Sequence, residues 1–221
     1  MYLQKLRLIT LLTLVVTLCG TAVVNLPVAF TASRVLAQTV DERKAEADRL
    51  LDQGNEQLNT SQYETAIQSW QQALIIYREI KARQGEGWAL GSLGIAYRNL
   101  GNYAKAIDYL QQSLAIAREI KDRNSEGKTL GNLGAAYLDL GDYGKAIDYQ
   151  QQSLAIIREI KDRNNEGRVL GNLGLAYSSL GDYGKAIDYS EQWLAIAREI
   201  KDRQDEGWAL NNLGFGFYKS G

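Results

Sequence analysis

The residues with the most usable chemistry in this 221-residue chain recur at forty-residue intervals. Asn132, Asn172 and Asn212 share one place, held by Ser92 one interval earlier. A second column holds Trp88, Lys128, Arg168 and Trp208, and a third Ile95, Ala135, Leu175 and Phe215. A carboxamide carries both donors and acceptors, so a column of them pairs with the N–H and C=O groups of an extended peptide whatever its side chains are. The second column mixes indole rings with cations and suits acidic or aromatic groups. Gly91, Gly131 and Gly171 sit beside the Ser/Asn column and leave room for a ligand backbone to approach.

This is binding chemistry rather than catalysis. There is no His, and the only Cys is Cys19 in an N-terminal apolar stretch. Zinc sites, Ser-His or Cys-His nucleophile pairs and a disulfide framework are thereby excluded or strongly disfavoured. Carboxylates are plentiful, but nothing fixes a pair of them at a defined separation in a pocket. The reading is of a non-enzyme that needs no cofactor and no metal. With 25 basic and 26 acidic residues the net charge is −1, giving no electrostatic reason to expect nucleic acid. The REIKDR segments at 118–123, 158–163 and 198–203 read as a solvated face of alternating sign.

What positions the columns is a repeat. Residues 127–166 return at 167–206 with 29 of 40 positions identical, a period that marks a stacked array. Copies run 47–86, 87–126, 127–166 and 167–206, with a half copy at 207–221. Within a copy the punctuation predicts two helices. Gly85, Ser125, Asn165 and Asp205 occupy one place and read as N-caps of the first helix. Leu130, Leu133, Tyr137 and Leu140 form its apolar stripe, and Gly141 its left-handed end. Asp142 caps the second helix, whose stripe is Ala146, Ile147, Leu154, Ile157 and Ile160, closing on a basic last turn around Lys161 and Arg163. Gly134 and its equivalents lie mid-helix, where glycine costs about 1 kcal/mol against alanine. Close approach of the second helix, with Ala146 facing Gly134, accounts for that cost. Copy 167–206 departs once: Trp193 stands where Ala73, Ser113 and Ser153 do, and Ser190 where Trp70, Leu110 and Gln150 do, which implies local repacking.

Upstream, Lys5 and Arg7 precede the apolar run Leu8–Leu18, and Val35-Leu36-Ala37 offers a cleavage site before Gln38. Residues 1–37 therefore read as an export signal peptide of bacterial type, which places 38–221 in the periplasm or outside the cell. An uncleaved inner-membrane anchor is the alternative, since the uncharged stretch Leu8–Ser33 is long enough to span a bilayer. Membrane contact is expected only through this segment.

Leu130-x-x-Leu133-Gly134-x-x-Tyr137, followed by Gly141-x-Tyr143 and Ala146, resembles the tetratricopeptide repeat. The resemblance is to its forty-residue variety, as in Pins-type adaptors, kinesin light chains and cyanobacterial arrays. Leu130 replaces the family's Trp, and Arg158 stands where the family closes with Pro. The resemblance implies an all-α, right-handed superhelical solenoid of antiparallel helix pairs, with the first helix of each pair lining a concave groove. It also implies a protein or peptide partner. Neighbouring helices pack roughly 8–10 Å apart and a strand rises about 3.3 Å per residue, so one Asn per copy meets about every third ligand residue. Bonds between neighbouring helices are the other use open to the Asn column. The carboxylate clamp of chaperone-binding members is only half present, in Asn132, Arg168 and Asn172, so chaperone C-termini are not expected. At the far end, Phe215, Phe217 and Tyr218 lie on a helix that lacks its own partner, where a capping helix carries a polar outer face. Self-association through that end is the structural alternative to groove binding.

Overall fold

The computed structural model describes residues 27–220, with side chains from Thr39 onward. The described residues are helical except for short turns, in the order α1 (Pro27–Asn59), α2 (Tyr63–Glu79), α3 (Arg83–Asn99), α4 (Tyr103–Glu119), α5 (Arg123–Leu140), α6 (Tyr143–Glu159), α7 (Arg163–Ser179), α8 (Tyr183–Glu199) and α9 (Arg203–Ser220). Glu42–Gly221 form one compact unit. Consecutive helices pack pairwise, and α3, α5, α7 and α9 also touch the next or preceding odd-numbered helix. This is the expected all-α solenoid. The apolar run Leu8–Leu18 and Cys19 lie outside the described residues, and no described helix is long and apolar enough to cross a membrane.

Two kinds of turn alternate. From first to second helix the chain reverses at Gly141, whose φ of +86° lies in the left-handed region that a Cβ disfavours. Asp142 then caps α6, its side chain accepting from the Lys145 N–H at 3.2 Å. From second to first helix the left-handed residue is a lysine: Lys81, Lys121, Lys161 and Lys201 all have φ of 58–60°. This corrects two expectations. Lys161 lies past the end of α6, and Arg163 opens α7 rather than closing α6. The caps also fall three residues earlier than expected. Asp122 and Asp162 accept from the backbone N–H groups of Ser125 at 3.0 Å and Asn165 at 3.1 Å, and also bond those side chains. Ser125 and Asn165 are therefore third residues of their helices that bond back to the cap.

The stripes pack as read except at Leu140 and, in part, Ile160. Leu130 and Leu133 are buried and Ile157 has no exposed surface, whereas Leu140 is 52% exposed at the helix end. Gly134 does face a close neighbour, but chiefly Gln150 rather than Ala146. A Cβ on Gly134 would lie 2.7 Å from the Gln150 side chain, and one on Gly94 2.5 Å from Leu110 and 3.2 Å from the Ala106 carbonyl. The side chain at this place of each second helix is thus wedged against the glycine. Trp70 and Gln150 use the wedge to donate to the Leu51 and Gly131 carbonyls, at 3.1 and 3.0 Å.

The charged segments are more than a solvated face. Glu126 accepts from Arg118 at 3.0 Å and from Arg123 at 2.7 Å, and Arg123 reaches on to Glu159 at 2.6 Å. Arg158, Glu166, Arg163 and Glu199 repeat the chain one copy later, and Arg78, Glu86, Arg83 and Glu119 one copy earlier. Glu86 and Glu166 are buried in this ladder, which ties the end of each second helix to the first helices on either side. Although its partial burial opposes ionisation, Glu126 is held below the ordinary carboxylate range by hydrogen bonds from Arg118 and Arg123.

A second inter-helix device was not read from sequence. Tyr97 stacks on Tyr109, Tyr137 on Tyr149 and Tyr177 on Tyr189, with centroids 5.4–5.5 Å apart. Lys105, Lys145 and Lys185 cover one ring of each pair at 4.8–5.1 Å.

Candidate functional site

The three columns lie on the first helices α3, α5, α7 and α9, on the side away from the buried stripe. Helical spacing fixes this: Leu130, Leu133 and Ala136 turn inward, which leaves Lys128 and Asn132 on the flank. Ser92, Asn132, Asn172 and Asn212 are all partly buried, and none makes a side-chain hydrogen bond within the described residues. Bonds to neighbouring helices, the other use open to the column, are not made by these side chains among the described residues. Four amide or hydroxyl groups in line, with their hydrogen-bonding capacity unused, are what a ladder for a peptide backbone requires.

Two open recesses interrupt this face. The first, about 770 Å³, lies among α1, α3 and α5 and gathers Trp88, Ser92, Ile95, Lys128 and Asn132 with Leu51 and Asn55. The second, about 690 Å³, lies among α7, α8 and α9 and gathers Leu175, Asn212 and Phe215 with Ser178 and Tyr218. Arg168, Asn172 and Trp208 line neither recess. Ala135 differs from its column: it is buried, and presents no apolar group to the face as Leu175 and Phe215 do.

The charge of the face is arranged around three cations. Lys128 is attracted by both helix caps, Asp122 and Asp162. Arg168 donates to the Asn165 side-chain oxygen at 2.9 Å. Desolvation lowers the Arg168 guanidinium pKa, and repulsion from Arg98 adds to it, while Asp162 opposes both. Arg98 itself pairs with Asp139 at 2.8 Å. Sequence reading missed Arg98, Asp139, Leu51 and Asn55; extending the forty-residue grid by one helix toward the N-terminus would have found Leu51 and Asn55, whereas Arg98 and Asp139 fall in two different columns whose other members do not match them.

The tetratricopeptide repeat matches residues 57–119 and 125–199, more than half of the chain. The chain belongs to the tetratricopeptide-repeat family. No curated protein sequence matches it. Solved structures of the same fold include BtubC from P. vanneervenii, with a TM-score of 0.73 and 19% identity over 86% of this chain and 79% of that one. A Podosopora anserina kinesin light chain-type protein with nearly identical TPR-like repeats has a TM-score of 0.67 and 17% identity over 80% and 88%. A Rap protein solved in complex with Competence and Sporulation Factor has a TM-score of 0.71 and 20% identity over 79% of this chain and 52% of that one. At these identities the likeness is one of fold. A tetratricopeptide array of this kind supports a protein-interaction scaffold role, and the family is generally non-catalytic.

Proposed function

We propose that this tetratricopeptide protein is a non-catalytic scaffold that holds an extended segment of a partner protein along the face formed by α3, α5, α7 and α9. The observation that carries the reading is the row Ser92, Asn132, Asn172 and Asn212, partly buried and unpartnered. Interior Asn is a mediocre helix former, so its place at three successive turns of the array is not a folding preference. The capture of a named factor by a Rap protein of the same fold supports the reading. Export of the array, with residues 1–37 as leader, is part of the proposal; mass spectrometry of the natural N-terminus tests it, and a chain retaining Met1 and a soluble location would contradict it.

The test of binding uses random dodecapeptides displayed on phage and selected on the full chain. Selected peptides should shift the side-chain amide resonances of Asn132 and Asn172 in a nitrogen-15 correlation spectrum. Shifts confined to the Arg–Glu edge would contradict the proposal.

A second reading has its own observation. Leu210 is 48% exposed, although its equivalents Leu90, Leu130 and Leu170 are buried by the second helix of their copies, and Phe217 and Tyr218 are 57% and 78% exposed. Self-assembly would cover this face of α9. Light scattering behind size-exclusion chromatography decides: a monomer at high concentration ends the assembly reading, and a dimer that Leu210→Ser with Phe217→Ser dissociates supports it.

A further inference from the structure

In the middle of the array, each first helix presents an amide and a cation one turn apart. Asn132 follows Lys128 on α5 by one helical turn, and Asn172 follows Arg168 on α7 in the same way, so amide and cation share a side of their helix. Both cations are exposed and neither makes an ion pair. That sets Arg168 apart: among the arginines whose side chains are described, every one but Arg49 and Arg168 is paired with a carboxylate.

The carboxylates that act on these cations are already in use. Asp122 and Asp162 cap α5 and α7 through their bonds with Ser125 and Asn165, and they offset the positive ends of those helices. Asp139 belongs to Arg98, at 2.8 Å. Arg168 is left with a neutral partner, the Asn165 side-chain oxygen at 2.9 Å, and with repulsion from Arg98. An additional carboxylate is what this part of the groove lacks.

Spacing sets the conformation of the segment that supplies it. The first helices α3, α5, α7 and α9 touch in series. Neighbours lie roughly 8–10 Å apart, so the two amide–cation pairs call for ligand residues at that separation on one face. A β-strand covers the distance in about three residues, but its side chains alternate and the third points to the opposite face, while the second and fourth fall at about 7 and 13 Å. A polyproline II helix has three residues per turn and rises about 3.1 Å for each, so every third residue returns to the same face after about 9 Å. It has no internal hydrogen bonds, which leaves its N–H and C=O groups open to Asn132 and Asn172.

We infer that the bound segment is a polyproline II stretch with an acidic residue at every third position, one set on Asn132 and Lys128 and the next on Asn172 and Arg168. In each case the Asn amide takes the backbone of the acidic residue and the cation takes its carboxylate. Ser92 and Asn212 carry the polar row past both pairs, which makes the acids internal side chains rather than a chain terminus. The inference rests on the peptide-binding reading, and its test separates the two.

The probes are dodecapeptides acetylated and amidated at their ends, titrated calorimetrically into the full chain. One consists of Glu-Pro-Pro triplets; a second has the same composition with Glu at every second position; a third has Gln for Glu. The triplet peptide should bind at least fivefold more tightly than the second and at least tenfold more tightly than the third, and should shift the side-chain amide resonances of Asn132 and Asn172. Lys128→Glu with Arg168→Glu alters only exposed side chains and should transfer the preference to Lys-Pro-Pro triplets. Equal affinity for the two spacings, equal affinity for Glu and Gln, or an unchanged preference in the double variant would each overturn the inference. A Gln-Pro-Pro peptide with a free C-terminus that binds as tightly as the Glu triplets would make a chain terminus the occupant, and would overturn it too. If the triplet peptide fails while peptides selected on the native chain bind and lose affinity in the Asn132→Ala, Asn172→Ala variant, the inference falls and the groove stands. If no selected peptide and no probe binds, the groove reading falls, and the inference with it.

Discussion

The Arg–Glu edge and the first-helix face are built from the same repeat, yet they differ in how far their polar groups are satisfied. Along the edge, Glu126 has Arg118 and Arg123, and Glu166 has Arg158 and Arg163, each within 3.0 Å. On the face, Asn132 and Asn172 are as regularly placed and have no partner. The edge is also nearly constant in residue type from copy to copy, whereas the face varies from Trp88 to Lys128 to Arg168 to Trp208. Regular spacing alone therefore does not separate structural from functional residues in a repeat protein. Whether the spaced group has been used by the fold does.

The sharpest ways to break this contrast begin with the wedge that the fold uses most fully. Trp70→Ala removes a side chain with no exposed surface and its bond to Leu51, and should destabilise the array by about 3–5 kcal/mol in urea unfolding. Gly94→Leu should follow at about 1–3 kcal/mol, because its Cβ alone would meet Leu110 at 2.5 Å and the backbone carbonyl of Ala106 at 3.2 Å. A neutral result at Gly94 would mean that the helices of a pair have room to part. At the edge, Glu166→Gln weakens bonds to two arginines that are each nearly half exposed, so a loss of about 1 kcal/mol is expected, shrinking in high salt. A loss that does not respond to salt would show that burial of Glu166, rather than its charge, is what the edge needs.

Acid should act on the edge and the caps together. Hydrogen bonds from Arg83 hold Glu119 below the ordinary carboxylate range, as those from Arg123 do for Glu159 and those from Arg163 for Glu199. Asp122 and Asp162 are lowered despite the desolvation that opposes it, through bonds from Ser125 and Asn165. Depressed folded-state values mean that this stability is complete above the unfolded carboxylate pKa values near 4 and is lost as pH falls through the folded ones. With no histidine in the chain, the melting temperature should be level from about pH 8 to about pH 5.5 and drop below about pH 4.5. A step near pH 6.5 would be inconsistent with this origin.

Much of the fold was legible because the repeat states each rule several times. Leu130, Leu133, Gly141 and Asp142 could each be read from helical spacing or turn chemistry, and the structure puts each to that use. The turns from second to first helix were misread for a definite reason. The left-handed residue there is a lysine, which gives no turn signal, so the cap was sought at Ser125 instead of Asp122. The ladder was hidden for another: Arg123 and Glu159 lie 36 residues apart and meet only when the helices stack. At the candidate site, the columns were visible as periodic residues, but the recesses were not. A recess depends on what the second helix fails to fill, as Ser190 shows, and that is a property of packing rather than of either helix alone.

The central claim is that the Asn column is free of the fold and available to a ligand. Its most direct test compares the full chain with its Asn132→Ala, Asn172→Ala variant for melting temperature and for affinity toward a peptide selected on the native chain. The account predicts an unchanged or slightly higher melting temperature, since Ala is the better helix former, and at least a tenfold loss of affinity. A lower melting temperature with undiminished affinity would place these residues among those the fold has already used, and would contradict it.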